Sequence, residues 1–453
     1  MLLHLSSAAL AATVPGDYSS IGEACSAGEA VIEVSSGAVA GGTCYLSGKT
    51  VTITGVGDRP TGAAIFQLYD GSSLTLENLS FSPAGDTLFS VYASDLTLSQ
   101  VSVDTSGTTS KVLGLSGGSV EGTQVEVRGG GGAATLLQAF STEDQGASVT
   151  FRDSRFSDAP TGMFYASGFG SAPLEVFFKD VVFADNRHAA SDGGAVRVEQ
   201  ADAGDTFHFE GCEFTGNSAK NGGAIYLEYG SLELHDVTFE GNTATVGGGG
   251  AIYANTLDDK HLGLDDSWLC GNAAPEGSAL YADDLTLYLD HVALVAQTGG
   301  GALSGWKSPL IADHMSLVAN TIGISISDSL KVNDSLAWAN TLLSEGVGGV
   351  QGDYNAYAVG AVESGSVHDL EIDDPGFDGD PTTCAHPPWL SSESVLLGAA
   401  SDGSYIGAYG VDGTPPDTSV PDSEPPDSPP RTPDPSIRTA PRRRTLAARP
   451  RSP

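Results

Sequence analysis

The sequence predicts an all-β protein: a right-handed parallel β-helix, built as a three-faced solenoid of about twelve coils, followed by a disordered C-terminal tail. Three observations predict it: an apolar pattern that recurs about every 25 residues, an asparagine at a fixed place after it, and then a glycine pair. No long stretch shows the 3.6-residue apolar spacing of an amphipathic helix. Because repeats pack only on their neighbours, 453 residues need not divide into several globular domains.

The apolar pattern consists of two alternating pairs separated by one extra residue, as in Leu74 and Leu76 followed by Leu79 and Phe81. Side chains two residues apart on a strand share a face, so each copy predicts two short strands joined at a bend. Such strands cannot satisfy their backbone groups alone, whereas stacking coils at ~4.8 Å pairs every one of them. The last apolar position of the copies falls at Phe81, Val103, Val127, Phe156, Phe183, Phe214, Phe239, Leu269, Leu294, Leu317 and Ala337.

An asparagine follows the last apolar position of six copies by three residues. Asparagine tolerates the left-handed conformation of a tight corner, and stacked amides can bond to one another along a solenoid. A glycine pair then opens a third strand, as in Gly222-Gly223-Ala224-Ile225. Three strands and three bends per copy predict a triangular cross-section. The predicted corner residues are Asn186, Asn217, Asn242, Asn272, Asn320 and Asn340.

The Phe-x-x-Asn motifs at 183–186, 214–217 and 239–242, each followed by its glycine pair, resemble the repeat of the chlamydial polymorphic outer membrane proteins. They also resemble right-handed parallel β-helix repeat proteins of environmental bacteria. The segments 14–18 and 405–410 resemble the usual beginning and end of these solenoids, so the resemblance covers 14–411. It implies an extracellular or cell-surface protein, associated with the outer membrane, that serves in adhesion or surface display.

The domain organisation follows from composition. Residues 1–13 form a short apolar run that ends in small residues, as a signal peptide does, and we expect its true start to lie upstream. The β-helix is predicted over 14–411. Residues 412–453 are rich in Pro, Asp and Ser, then in Arg, and are expected to be disordered because they cannot form a core. No later stretch approaches the ~20 apolar residues of a membrane helix, so no membrane span is expected.

The formal net charge of −37 restricts the partners. A field of this sign repels phosphate backbones, which excludes nucleic acid as a partner. We expect a monomer whose partner is carbohydrate or a surface protein.

The five cysteines predict one disulfide. Cys25 and Cys44 are near neighbours and can pair in an oxidising compartment. Cys212 takes an inward slot of the pattern and is expected to be a buried free thiol. Cys270 is expected to point outward two coils away, ~10 Å distant, which excludes a bond between Cys212 and Cys270. Without a CxxC motif or a His/Cys cluster, no zinc site is predicted.

The sequence yields no catalytic residue and no organic cofactor. Asp374, Asp378 and Asp380 could supply oxygen ligands to Ca²⁺, although their spacing matches no known calcium loop and a turn-rich end segment is the preferred interpretation. Acidic pairs such as Asp265-Asp266 do not predict a catalytic dyad, since adjacent residues on a strand point to opposite faces.

Three functions are therefore consistent with the sequence. The favoured one is a secreted or surface-displayed structural, adhesin-like protein that binds an extracellular ligand. The alternatives are a carbohydrate-active enzyme, either a polysaccharide lyase or a hydrolase, and a spacer stiffened by Ca²⁺.

Overall fold

A computed structural model describes residues 11–411, except 36–38, 84–86, 107, 109–110, 130–134, 169–170, 201–203, 257–259, 341, 345–349 and 359–367. The described chain is nearly all β and forms a parallel β-solenoid of about 11 turns, so the predicted fold class is confirmed with slightly fewer coils. Most of the predicted signal peptide and all of the predicted tail, 412–453, lie outside the described residues. The first strand, Ala12–Val14, already pairs in the solenoid.

The first face carries the first half of the apolar pattern. Its strands pair in parallel from coil to coil, for example Phe207 with Leu232 and Leu232 with Leu262. The strands are Ala12–Val14, Val31–Ser35, Thr50–Val56, Thr206–Glu210, Ser231–His235, His261–Asp265, Thr286–Asp290, Leu310–Asp313, Leu330–Asn333 and Val350–Gln351. Longer strands continue round the bend onto the second face: Ser73–Phe81, Ala147–Ser157 and Leu174–Ala184.

The second face carries the closing apolar positions. All eleven pair in the predicted order, from Phe81 with Val103 to Leu317 with Ala337. Its short strands are Glu126–Arg128, Glu213–Thr215, Thr238–Glu240, Trp268–Cys270, Ala293–Val295, Ser316–Val318, Leu336–Trp338, Ala356–Ala358 and Leu370–Ile372.

The third face contains the strands that the glycine pairs open. Its strands are Val39–Ser47, Thr61–Tyr69, Leu137–Ser141, Phe164–Gly168, Val196–Glu199, Ile225–Glu228, Ile252–Asn255, Leu280–Asp283, Gly301–Trp306, Ile322–Ile326 and Leu342–Ser344. Leu113–Thr123 spans the third and first faces, and Phe89–Asp104 spans all three. A minor sheet at the corner before the third face pairs Arg187–His188, Ser218–Ala219, Thr243–Ala244, Ala273–Ala274 and Thr298–Gly299.

The core is a column of inward side chains stacked at the coil spacing. Phe183, Phe214 and Phe239 lie face to face with ring centroids 4.8 Å apart. Fully buried rings of this kind stabilise the folded chain through the removal of apolar surface from water and through contact between the rings. The pairing of like residues therefore fixes the register of neighbouring coils.

The predicted corner asparagines form a second, polar column. The side-chain amide of Asn217 donates to Asn242 Oδ1 at 2.9 Å and to the Phe183 carbonyl at 3.0 Å. Gln297 continues the column between Asn272 and Asn320, in the one copy between Phe183 and Ala337 that has no asparagine at this position. The left-handed conformation lies one residue earlier than the sequence predicts. The preceding residue, such as Gly216 with φ 64°, makes the turn and directs the amide inward.

The N-terminal end is closed by the helix Ile21–Ala27. Ser20 caps its first turn, and Gly28 ends it in a left-handed conformation. Gly22 lies so close to the backbone of Gly42 that an added Cβ would be 2.9 Å from it. The predicted disulfide between Cys25 and Cys44 joins this helix to the strand Val39–Ser47. None of the described helices has the length and apolar composition needed to cross a bilayer.

The C-terminal segment, residues 373–411, folds back along the outside of the second face. Cys384 forms a disulfide with Cys270, a second bond beyond the one that the sequence predicts. Cys270 lies with Ala293 and Val295 in an outer apolar cluster, separate from the solenoid core, yet it is buried because this segment covers it. Cys212 is a buried free thiol, and it is not bonded to Cys270.

Candidate binding groove

A column of tyrosines runs along the outside of the third face. Tyr226, Tyr253 and Tyr281 occupy the same position in three consecutive coils. Their rings are nearly parallel, with centroids 5.3 and 5.0 Å apart. Gly248 lies against Tyr281, since a Cβ added there would be 2.7 Å from the ring. Because Gly248 has no side chain, the Tyr281 ring can occupy this space.

The tyrosine column ends at Tyr281 because the next two coils place serines in the same register. Tyr281 pairs with Ser304, and Ser304 pairs with Ser325. Replacing a phenol ring by a hydroxymethyl group leaves an open groove of about 430 Å³ beside Tyr281. The other side chains that line it include Glu276 and Trp306, together with Ile322 and Ile326.

Trp306 is the more exposed of the two aromatic residues that line this groove. Beside the tyrosine column, Asn255, Asp283 and Trp306 occupy one outward position in three successive coils. The Trp306 residue is 58% exposed. An indole left in water at the rim of a concave surface is typical of binding surfaces that use aromatic contact. The groove therefore combines two aromatic rings with serine hydroxyls and one carboxylate.

The tyrosine hydroxyls remain protonated. Burial raises the pKa of Tyr253 to about 12. Burial also raises the pKa of Tyr281, and the charges of Asp283 and Glu276 add to the effect. At neutral pH Tyr281 is consequently a neutral group that can donate a hydrogen bond.

The apolar and asparagine motifs do not indicate the groove, although the sequence contains a signal for it. Gly300-Gly301-Ala302-Leu303-Ser304 is a further copy of the glycine-pair motif, with serine where three earlier copies have tyrosine.

The predicted calcium residues lie in the C-terminal segment and serve local turns. Asp374 Oδ1 accepts a hydrogen bond from the Gly376 backbone at 2.9 Å. The hydroxyl and backbone N–H of Thr382 bind Asp380 and lower its pKa. The described groups of three converging ligand side chains do not include Asp374, Asp378 or Asp380. Calcium binding there stays a prediction.

At one bend of the solenoid, two adjacent aspartates lie on the same side, contrary to the expectation for neighbours on a strand. Asp266 takes a left-handed conformation, with φ 48°, directly after the strand that ends at Asp265. This turn directs both carboxylates outward, and His235 Nδ1 lies 2.6 Å from Asp265 and 3.8 Å from Asp266. The alternation of side chains applies within a strand, not across a left-handed corner.

Comparison with known proteins supports the repeat assignment. Residues 211–228 and 236–255 match the Chlamydia polymorphic membrane protein repeat. The chain is a β-solenoid with polymorphic-membrane-protein-like repeats. The two matched segments include the Phe214 and Phe239 copies and the tyrosines at 226 and 253. No curated protein and no solved structure is significantly similar to the chain.

Proposed function

We propose that the protein is a surface-displayed, adhesin-like solenoid, acting as a monomer, that binds extracellular carbohydrate in the groove beside Tyr281. The observation that carries this proposal is the replacement of the tyrosine column by Ser304 and Ser325, which bares one side of an aromatic stack. Sugar rings offer apolar C–H faces for an aromatic ring and hydroxyls for the serines and Glu276. The repeat match supports placement at the cell surface.

The lining of the groove favours binding over cleavage. Glycoside hydrolysis uses a pair of carboxyl groups, one as acid and one as base or nucleophile. Glu276 is the one carboxylate among the described lining residues. A lyase would need a basic side chain, and the same lining contains neither Lys nor Arg. We therefore keep the enzyme only as the alternative.

A glycan array tests the proposal. We expect the wild-type protein to bind a defined set of glycans and Trp306→Ala to bind them at least ~10-fold more weakly, because an aromatic contact contributes on the order of 1 kcal/mol or more. Trp306 is largely exposed, so this change should leave the melting temperature within about 1 °C.

Tyr45→Ala provides the matched control. Tyr45 is also a third-face aromatic and is 56% exposed, but it belongs to a separate tyrosine stack with Tyr69 near the N-terminus. Its removal should leave binding unchanged. Equal losses in both variants, or no bound glycan at all, would contradict the assignment of carbohydrate to this groove.

A further inference from the structure

The bend between the first and second faces carries a column of acidic and histidine side chains. One left-handed residue per coil forms this bend, in sequence Asp236, Asp266, His291, His314 and Asp334. Because coils stack, these side chains lie over one another. The rings of His291 and His314 are 4.6 Å apart at an interplanar angle of 19°.

The two histidines are buried beneath the C-terminal segment. Their side chains are 5% and 7% exposed. His314 Nε2 lies 3.0 Å from the Ser404 hydroxyl, and Asp334 accepts hydrogen bonds from Ser401. The segment thereby covers one side of the column. The other side is open, since Asp290 and Asp313 are half exposed.

The second nitrogen of His314 lies beside a carboxylate, in an ion-pair contact that is not a hydrogen bond. His314 Nδ1 and Asp313 Oδ1 are 3.4 Å apart, both are sealed from solvent, and neither has a hydrogen-bond partner among the described residues. The two atoms have only this ion-pair contact with each other, and burying polar atoms without a hydrogen bond is costly and uncommon in native structures. A cation that binds both lone pairs would remove this cost.

The neighbouring ligands complete such a site. Ligand atoms of Asp313, His314 and Asp334 lie within 4.8 Å of one another, and so do those of Asp290, His291 and His314. His291 Nδ1 is 2.9 Å from Asp290 Oδ1. His314 belongs to both groups, so its imidazole is shared by two sets of candidate ligands that together contain four other side chains.

We propose that this column binds a divalent transition-metal ion of the zinc type through His314, with Asp313 and the nearby His291, Asp290 and Asp334 as further ligands. Mixed imidazole and carboxylate donors suit Zn²⁺, whereas Ca²⁺ takes oxygen ligands only. The bound ion would also hold the C-terminal segment in place through Ser401 and Ser404.

The ligands of this column are not close in sequence, so no short metal-binding motif contains them. His291 and His314 are 23 residues apart, which is one coil. The solenoid, rather than a short motif, brings them together.

Metal titration of the full, untagged chain tests the proposal. After treatment with chelator and dialysis, we expect calorimetry to show one Zn²⁺ per chain, with affinity unaffected by millimolar Ca²⁺. His314→Gln should weaken binding more than ~100-fold, and Asp313→Asn ~10- to 100-fold. Co²⁺ should give the absorption of a nitrogen- and oxygen-bound ion that His314→Gln abolishes.

Two variants control for folding and for adventitious binding. Asp290→Asn changes a half-exposed ligand, keeps the side-chain volume, and should weaken Zn²⁺ binding with the melting temperature of the metal-free protein unchanged. His261→Gln removes another histidine–carboxylate pair, 2.5 Å from Glu233, that belongs to neither group and should bind Zn²⁺ like the wild type. Absence of stoichiometric Zn²⁺, or equal affinity in His314→Gln, would overturn the proposal.

Discussion

At the scale of single residues, an inward position in the coil determines the reactivity of a side chain as well as its packing. Cys212 takes the slot that Val181 and Val237 take in the neighbouring coils, and its thiol lies 3.4 Å from the Phe178 carbonyl. Burial raises the pKa of this thiol to about 12 from a reference of 9.0. The thiol is thus protected in two ways, by exclusion of reagent and by loss of the reactive thiolate.

We expect Cys212 to resist alkylation in the native protein. The raised pKa lowers the thiolate fraction and burial excludes the reagent, so iodoacetamide at pH 8 should label the folded chain at least ~100-fold more slowly than the denatured chain. Mass spectrometry under non-reducing conditions measures both rates. Cys212→Val should remove all labelling and preserve the melting temperature within ~1 °C, and labelling of the native protein at the denatured rate would refute the burial.

At the scale of elements, the sequence determines the repeated strands but not the segment that covers them. The closing positions recur at one phase from Phe81 to Ala337, so a single register describes these coils. The C-terminal segment has no repeat phase, and its contacts join residues far apart, such as Ala408 with Ser316. The outward Cys270 was correctly placed, but its partner Cys384, 114 residues away, could not be inferred from the pattern.

We expect this second disulfide to fasten the C-terminal segment to the solenoid. The double variant Cys270→Ser/Cys384→Ser should lower the free energy of unfolding by roughly 2–5 kcal/mol, the usual effect of removing a native disulfide. Hydrogen exchange should become faster in residues 373–411 and stay slow in the coils around Phe214, which the disulfide does not touch. The double change avoids a free thiol, and uniform acceleration across all coils would contradict a local role.

At the scale of the whole molecule, parallel stacking repeats any exposed charge along the solenoid. Asp265, Asp290 and Asp313 pair in register in three successive coils, and the whole chain has a formal charge of −37. Like charges one coil apart repel, and the repulsion is lost when the chain unfolds. The geometry that stacks the phenylalanine rings in the core also stacks carboxylates on the surface. The solenoid is therefore stabilised by its apolar core and destabilised by repulsion between surface charges.

Salt should therefore stabilise the folded chain. Raising NaCl from 10 to 500 mM shortens the screening length from ~30 Å to below ~8 Å, and we expect the melting temperature to rise by several degrees. Chelator present throughout excludes metal effects at the His314 column, and calorimetry measures the transition. Near the isoelectric point, where the carboxylates are partly protonated, the salt effect should shrink, because fewer charges remain to screen. A melting temperature that falls with NaCl at neutral pH would show instead that surface ion pairs, such as Lys179 with Glu210, outweigh the repulsion between stacked carboxylates.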